Sequence, residues 1–507
     1  MSNTRDGPDM GLRAPTEDDI RAIGEDLQLD LTDEEVTAFR ERIADGLSAY
    51  ETVRLRTGTR TPSPDRPLDS GRRVREGDPY NAWITRCDIP GADDGPLDGW
   101  DVAVKDNVAV AGVEMTCGSQ VMEGYVPTAD ATVVTRLLEA GARVVGKTNM
   151  DDMAFTGNGH SSAFGPTLNP HDPARVSGGS SGGSAIAVLE GETDLGIGAD
   201  QGGSIRIPAA WCGIVGHKPT HGLVPYTGIA GIENTIDHVG PLASDVETTG
   251  RALSVLAGKD PADPRQPDEV PVADYASPGG DPESLSVGVL AEGFTRPEAT
   301  DSVNDRVRDG LAALEAAGAT VDEVSLPIHD DAADIYTVAL AEGSVAAFRG
   351  EGVGHNWRGH YDTGWVEAFG KFRRAQGGDF PSSYKYNLLL GAYTSRQYHS
   401  KYYAEAMNLR RELTAAYDRL LETYDVLAMP TAPQLPNEYV PDQGIHPFLD
   451  DAWGCLANTC SFNATGHPAL SVPVDPVGDL PVGTMLVGEH FDDATVLAAG
   501  RAIERRH

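Results

Sequence analysis

Hydrophobic positions recur at helical spacing in the N-terminal part of the chain. Apolar residues at residues 36–47 follow one another every three or four positions, which predicts an amphipathic helix. Upstream, Thr16 precedes three acidic residues, a pattern typical of a helix N-cap. We therefore expect a small helical N-terminal domain. A linker rich in Pro, Gly, Arg and Asp follows at residues 60–78. The N-terminal domain and its linker are assigned to residues 1–72.

From residue 73 to 507 the pattern indicates one larger domain. An apolar run at residues 133–138 predicts a helix, with Asp130 as its cap and Gly141 at its end, and residues 143–146 then predict a strand. This alternation favours the α/β class, with a central sheet and helices on its two faces. Further elements are predicted as strands at residues 285–290, 426–431 and 455–488, and as helices at residues 303–314 and 493–504.

Residues from about 330 to 425 differ in composition because they are rich in aromatic side chains. We expect a helical insertion that covers the active site, in which ordinary core packing accounts for most of the rings. The rings in question are Trp357, Tyr361, Trp365, Phe369, Phe372, Tyr384, Tyr386, Tyr393 and Tyr398.

The charge balance is strongly acidic. There are 77 acidic against 40 basic residues, a formal net charge of −37. Such a surface repels nucleic acid and anionic membranes, so neither is expected as a partner. The sequence has no apolar run of transmembrane length and no secretory signal, and its five cysteines form no CxxC pair. These features predict a cytoplasmic protein with reduced thiols.

Two Gly/Ser clusters stand out, at residues 178–184 and 202–204, with apolar residues between them. A flexible linker is one interpretation of such runs. A nucleotide-binding loop is another, but the GxG formed by Gly196 and Gly198 lacks the complete spacing and the acidic residue that should follow. The pattern favours loops that approach a ligand with bare backbone, since glycine has no Cβ and tolerates positive φ.

With Lys105 at the end of an apolar run, these clusters make three ordered motifs: Lys105, residues 178–184 and residues 198–209. The two key serines, Ser180 and Ser204, are 204 − 180 = 24 positions apart. In these motifs the chain resembles the amidase signature family, and Gln201 with residues 216–226 looks most like the enantioselective amidases associated with nitrile hydratases. The resemblance implies an α/β/α fold with a central mixed sheet.

The resemblance also implies roles for individual residues. Ser204 is the expected nucleophile, Ser180 relays the proton and follows a cis peptide bond, and Lys105 is the base. A lysine can act as a base near pH 7 only where burial or its neighbours lower its pKa. The backbone N–H groups expected to form the oxyanion hole are those of Gln201, Gly202, Gly203 and Ser204.

Phe155 and Asp200 are the candidate substrate-binding residues, Phe155 as a wall of the site. Asp200, with Arg206 as its ion-pair partner, is expected to act by supporting the oxyanion turn rather than by direct chemistry. No metal or organic cofactor is expected. His217 and His221 are four positions apart, but Pro219 between them predicts a loop rather than a zinc-binding helix.

The expected activity is hydrolysis of a small carboxylic amide to a carboxylate and ammonia through an acyl-enzyme, in a protein whose N-terminal helices would allow a homodimer. Alternatives are an A-type subunit of a tRNA-dependent amidotransferase, a non-catalytic amide-binding relative, and hydrolysis of a urea-type or ester substrate. The amidotransferase subunits usually carry Gln where Ile207 stands and lack this long N-terminal segment.

The acidic composition predicts that the protein is halophilic. Molar KCl shortens the Debye length to about 3 Å and screens the mutual repulsion of the carboxylates. We therefore expect activity and the thermal unfolding midpoint to rise with KCl concentration when both are measured at constant pH from low salt upward. Full activity and stability at the lowest concentration would contradict the halophilic interpretation.

Overall fold

A mixed sheet of twelve strands forms the centre of the part of the chain that the structure describes. The structure is a computed structural model, and it describes residues 12–56, 64–66, 68–277, 281–353 and 359–505. The chain divides into two compact units, Met1–Pro62 and Ser63–His507. Part of the predicted linker and Trp357 lie outside the described residues.

The strands, in chain order, are β1 Arg72–Arg73, β2 Trp83–Ile89, β3 Asp101–Lys105, β4 Arg143–Thr148, β5 Leu168–Asn169, β6 Asp172–Val176, β7 Leu195–Asp200, β8 Val215–Lys218, β9 His238–Ala243, β10 Ser286–Leu290, β11 Thr320–Val324, β12 Val426–Pro430, β13 Ala469–Val477 and β14 Leu480–Val487. The helices are α1 Glu17–Asp26, α2 Asp33–Arg56, α3 Thr132–Glu139, α4 Gly182–Leu189, α5 Arg206–Cys212, α6 Val246–Leu256, α7 Asp301–Ala316, α8 Ala332–Arg349, α9 Thr363–Gln376, α10 Ser382–Tyr398, α11 Lys401–Leu421, α12 Ile445–Gly454, α13 Cys460–Thr465 and α14 Asp493–Glu504.

The strand order of the large sheet is β1-β2-β4-β3-β7-β9-β8-β13-β14-β12-β10-β11. Strand β3 runs parallel to β4 and β7, and β10 runs parallel to β11 and β12, while the other neighbours are antiparallel. Every residue of β7, β9 and β12 is buried, as expected of strands covered on both faces. The predicted α/β class with a central mixed sheet is confirmed.

Two groups of helices pack on this sheet. In the first group, α4 and α5 contact each other; α4 packs on β3 and β7, and α5 packs on β8, β13 and β14. In the second group, α14 contacts both α6 and α7; α6 packs on β9, and α7 and α14 pack on β13. Every residue of α5 is buried, and so is α4 from Gly182 to Val188. The two short helices therefore belong to the core, and the loops that precede them are held at the edge of the sheet.

The first unit contains α1 and α2, and each helix begins with a reciprocal cap. The Oγ1 of Thr16 accepts from the N–H of Asp19, whose carboxylate accepts from the N–H of Thr16. Thr32 and Glu35 repeat this arrangement at the start of α2. Each capping box satisfies two backbone donors that a helix end leaves free. The predicted cap at Thr16 is confirmed.

The predicted cap at Asp130 is wrong. Helix α3 begins after Ala131, which offers no side-chain cap. The carboxylate of Asp130 instead accepts from the backbone N–H of Ala111 at 2.7 Å and forms an ion pair with Arg66 at 2.7 Å. A charged guanidinium attracts the carboxylate more strongly than the N–H groups of a helix end do.

The aromatic-rich segment contains α8, α9, α10 and α11. The rings of Trp365, Phe369 and Tyr384 are buried, whereas Tyr386 and Tyr393 are 47% and 59% exposed. Phe155, from the sheet domain, packs against Tyr384 with 4.5 Å between ring centroids. Within the described residues, no helix combines the length and hydrophobicity needed to cross a membrane.

Candidate active site

Lys105 is the last residue of β3, between the parallel strands β4 and β7. Its side chain is fully buried, and its Nζ donates to the Oγ of Ser180 at 2.8 Å and to the carbonyl of Ala199 at 2.9 Å. Burial lowers the pKa of Lys105 to about 7, against the opposing pull of the carboxylates of Asp151 and Asp200. A lysine in this environment exchanges a proton near neutral pH.

Ser180 lies in the Gly/Ser loop that precedes α4. The peptide bond between Gly179 and Ser180 is cis, the geometry that the resemblance implied. A Cβ on Gly179 would stand 1.9 Å from the Oδ2 of Asp151, and one on Gly178, whose φ is +80°, would press on Pro208. Only bare backbone fits at these two positions, which explains the glycines before Ser180.

Ser204 lies in the turn that joins β7 to α5. The N–H of Ser181 donates to the carbonyl of Ser204 at 3.1 Å, so the turn and the Gly/Ser loop are in direct contact. Gly203 has a φ of +146°, and a Cβ there would lie 2.3 Å from the Oγ1 of Thr459. Lys105, Ser180 and Ser204 therefore come together at one edge of the sheet, from three separate segments.

In the part of the chain that the structure describes, four backbone donors of this turn have no acceptor. Among the described residues, none accepts a hydrogen bond from the backbone N–H of Gln201, Gly202, Gly203 or Ser204. Most backbone donors in the interior of a protein are paired, so a run of unpaired donors is unusual. Such a run can bind the negatively charged oxygen that develops during acyl transfer.

An ion pair anchors the start of the turn. Arg206 donates from Nε and Nη2 to the two carboxylate oxygens of Asp200, both at 3.0 Å, and both side chains are fully buried. The carboxylate also accepts from the N–H of Ile205 and from Asn463. Burial alone would raise the pKa of Asp200, but Arg206 and Lys218 lower it to about 2. Because these protein donors engage both oxygens, the carboxylate holds the turn rather than facing the cavity.

A small cavity of about 10 Å³ adjoins Ser204. This volume holds roughly one water molecule. Phe155, the predicted wall residue, lines this cavity, and so does Gln201. The Nε2 of Gln201 donates to the hydroxyl of Tyr226 at 2.7 Å. The other lining residues are Ala154, Thr156, Gly202, Ile232, Tyr336, Leu340, Trp453 and Leu456.

Several residues at the site were not identified from the sequence. Thr459 donates from Oγ1 to the carbonyl of Gly202 at 2.6 Å, and Asn463 donates to the backbone carbonyl of Asp200 at 2.9 Å. Tyr336 comes from α8, and its hydroxyl would lie 2.6 Å from a Cβ on Gly202. They follow no Gly/Ser pattern of their own, and only the fold brings them to the turn.

His217 and His221 do not share a site. His217 belongs to β8 rather than to a loop, and its Nε2 interacts with Asp493 at 2.9 Å. The Nε2 of His221 instead faces the backbone carbonyl of Asn234. The loop predicted around Pro219 therefore begins only after Lys218.

Comparison with known proteins supports one family. Residues 82–497 match the family model described as Amidase. The chain is 41% identical to an enantioselective amidase of Rhodococcus rhodochrous over 96% of its own length and 95% of that protein. This chain belongs to the amidase signature family. It is therefore an enzyme of the amide carbon–nitrogen bond, either a hydrolase or an amidotransferase.

Amidotransferase subunits are also similar to this chain. A glutamyl-tRNA(Gln) amidotransferase subunit of Natronomonas pharaonis is 44% identical over 84% of this chain and 99% of its own length. The crystal structure of the corresponding subunit from Thermotoga maritima superposes with a TM-score of 0.69 at 30% identity, covering 86% of this chain and 87% of that one. The fold is thus that of amidase signature enzymes.

The anchoring ion pair predicts a large effect on stability when one charge is removed. In the variant Asp200→Asn, Arg206 stays buried without its counter-ion, which costs about 3–5 kcal/mol. We expect the urea unfolding midpoint in molar KCl to fall accordingly.

The matched control is Asp309→Asn, which removes the exposed partner of Arg306. Exposed pairs contribute little, so its midpoint should match that of the unmodified protein. Equal midpoints for the two variants would show that Asp200 is not an anchor.

Proposed function

We propose that this protein hydrolyses a small carboxylic amide to a carboxylate and ammonia, with Ser204 as the nucleophile, Ser180 as the proton relay and Lys105 as the base. The observation that carries the proposal is the hydrogen bond between the buried Lys105 and Ser180. Serine is a weak nucleophile until a base removes its proton, and a lysine is a useful base only with a lowered pKa. Here the lysine with a pKa of about 7 is bonded to the serine whose loop touches the Ser204 turn.

In the first step, the Oγ of Ser204 attacks the amide carbon while its proton passes to Ser180 and that of Ser180 passes to the neutral Nζ of Lys105. A neutral amine keeps two N–H donors, so Lys105 retains its bond to the carbonyl of Ala199. The carbonyl oxygen of the substrate becomes negatively charged and accepts from the free N–H groups of the turn at residues 201–204.

In the second step, the tetrahedral intermediate collapses. The carbon–nitrogen bond breaks, and the proton returns through Ser180 to the departing nitrogen, which leaves as ammonia. The product at Ser204 is an ester, the acyl-enzyme. Water then attacks this ester and gives a proton to the same relay, the bond between the acyl carbon and the Oγ of Ser204 breaks, and the relay returns the proton to Ser204. The carboxylic acid leaves and ionises to the carboxylate.

The rings around Ser204 support an acyl group that makes apolar contacts, and the cavity of about 10 Å³ must widen to admit one. The cavity walls include the rings of Phe155, Tyr336 and Trp453, and the free volume is small. Hydrophobic contacts with these rings would hold the acyl group while the amide faces the turn. We propose Phe155 as a substrate-binding residue and Asp200 as support for the turn.

The first unit of the chain favours the hydrolase over the amidotransferase subunit. The match to the Rhodococcus amidase covers 96% of 507 residues, or about 487, and the second unit has 507 − 62 = 445 residues. That match therefore extends into the first unit. The Natronomonas subunit is matched over 99% of its length, but that match covers only 84% of this chain. The other 16% of this chain has no counterpart in that subunit.

Ammonia release from a panel of amides tests the proposal. The panel contains acetamide, a branched aliphatic amide, an aryl amide, indoleacetamide and glutamine, in molar KCl. We expect release from an aliphatic or aryl amide and its loss in Ser204→Ala, which should keep the unfolding midpoint of the unmodified protein. Undiminished activity in that variant would refute the nucleophile, and release from glutamine alone would favour the amidotransferase subunit.

The pH dependence of kcat/KM tests the base. Below the pKa of Lys105 the amine is protonated and cannot accept a proton, so activity should rise with pH, reach half its maximum near pH 7 and then level off. Lys105→Arg keeps the positive charge but supplies no base at these pH values, so it should lower kcat/KM by about 10²–10⁴-fold. An inflection near pH 7 that persists in the residual activity of Lys105→Arg would assign it to another group.

A further inference from the structure

Three side chains with metal-binding atoms meet at a second place in the fold. Asp418 lies in α11, His467 lies between α13 and β13, and His490 lies between β14 and α14. The Oδ1 of Asp418 is 3.1 Å from the Nε2 of His467 and 3.7 Å from the Nδ1 of His490. All three residues place their ligand atoms within 4.8 Å of one another.

The hydrogen bonds of His490 fix which ring nitrogen carries its proton. Its Nε2 is 2.9 Å from the backbone carbonyl of Thr465. A carbonyl oxygen can only accept, so Nε2 must donate, and the proton of the neutral ring is on Nε2. The Nδ1 atom, which faces Asp418, therefore presents a lone pair.

The same logic applies to His467. The hydroxyl of Thr465 donates to the carbonyl of Ser461 at 3.1 Å, so its single proton is already used. The Nδ1 of His467, 2.8 Å from that hydroxyl oxygen, can then donate to it when Nε2 binds a metal ion. In that tautomer Nε2 presents a lone pair on the side of Asp418, whereas without an ion it is hydrogen-bonded to the Asp418 carboxylate at 3.1 Å.

Two imidazole nitrogens and a carboxylate oxygen thus converge, and the other ring nitrogen of each histidine faces an oxygen. We propose that Asp418, His467 and His490 bind a divalent transition-metal ion of the zinc class. Imidazole nitrogen with a carboxylate oxygen is a donor set that suits Zn²⁺, and each ligand histidine donates its other N–H to a neighbouring oxygen, as metal-bound histidines usually do.

The dimensions of the cluster fit a tetrahedral ion. Bonds of about 2.0–2.1 Å at tetrahedral angles place ligand atoms about 3.3 Å apart, between the two separations from Asp418. The side chains of Asp418 and His490 are 47% and 29% exposed, whereas that of His467 is fully buried. Water can complete the coordination from the exposed side.

The ion would join segments that are far apart in sequence and support the active site indirectly. Thr465, which orients both histidines, is the last residue of α13. The same helix carries Asn463, which binds Asp200, and Thr459 precedes it and binds Gly202. The metal would clamp α11 to the end of this helix, so its role is structural rather than catalytic.

Zinc titration of the full chain tests this proposal. After chelator treatment and gel filtration into KCl buffer near neutral pH, we expect calorimetry to show one Zn²⁺ bound per chain and the thermal unfolding midpoint to rise with zinc concentration, because the ion binds the folded state. Both effects should disappear in Asp418→Asn and in His490→Gln. They should persist in His446→Gln, which changes a histidine of α12 outside the cluster.

Co²⁺ provides a second readout, because the visible absorption of a four-coordinate ion should appear in the unmodified protein and in His446→Gln only. The proposal is overturned if the unmodified protein binds no more zinc than Asp418→Asn, or if zinc raises all four midpoints equally. Neither measurement depends on amide hydrolysis, so the outcome is separate from that of the proposed function.

Discussion

The buried ion pair between Asp200 and Arg206 is the constraint on which the site depends. Two charges without solvent are costly unless each finds a full set of hydrogen bonds. Here the carboxylate is shared by Arg206, the N–H of Ile205 and Asn463, and Arg206 also reaches the carbonyl of Thr459. These bonds hold the residues on either side of the turn, and the N–H groups of residues 201–204 between them have no acceptor among the described residues.

Burial of Lys105 is the second constraint, and it works in the opposite sense. Arg206 stabilises Asp200 as an anion, whereas Lys105 is hydrogen-bonded to a neutral hydroxyl and a carbonyl, so burial disfavours its charged form. Near neutral pH, Asp200 therefore keeps its negative charge, whereas Lys105 readily loses its proton.

Much of this arrangement could be predicted from the sequence. Lys105 ends an apolar strand and the serines lie in glycine-rich loops, so local pattern was informative for both. Thr459 and Asn463 could not be found in this way, because they are more than 250 residues from the turn and carry no pattern that signals their partners. The cap predicted at Asp130 failed for a related reason: a charge on a distant segment, Arg66, outweighed the local preference.

The walls of the cavity beside Ser204 come partly from the turn itself and partly from helices that are distant in sequence. Lys105, Ser180 and Ser204 are at sheet edges and on core loops, whereas Tyr336 and Leu340 belong to α8 and Trp453 to α12. Under the proposed function, substitutions in these helices would reshape the substrate cavity without replacing Lys105, Ser180 or Ser204. Under that proposal, a descendant of this chain could change its preferred substrate by drift in the helices, which would separate the evolution of selectivity from that of chemistry.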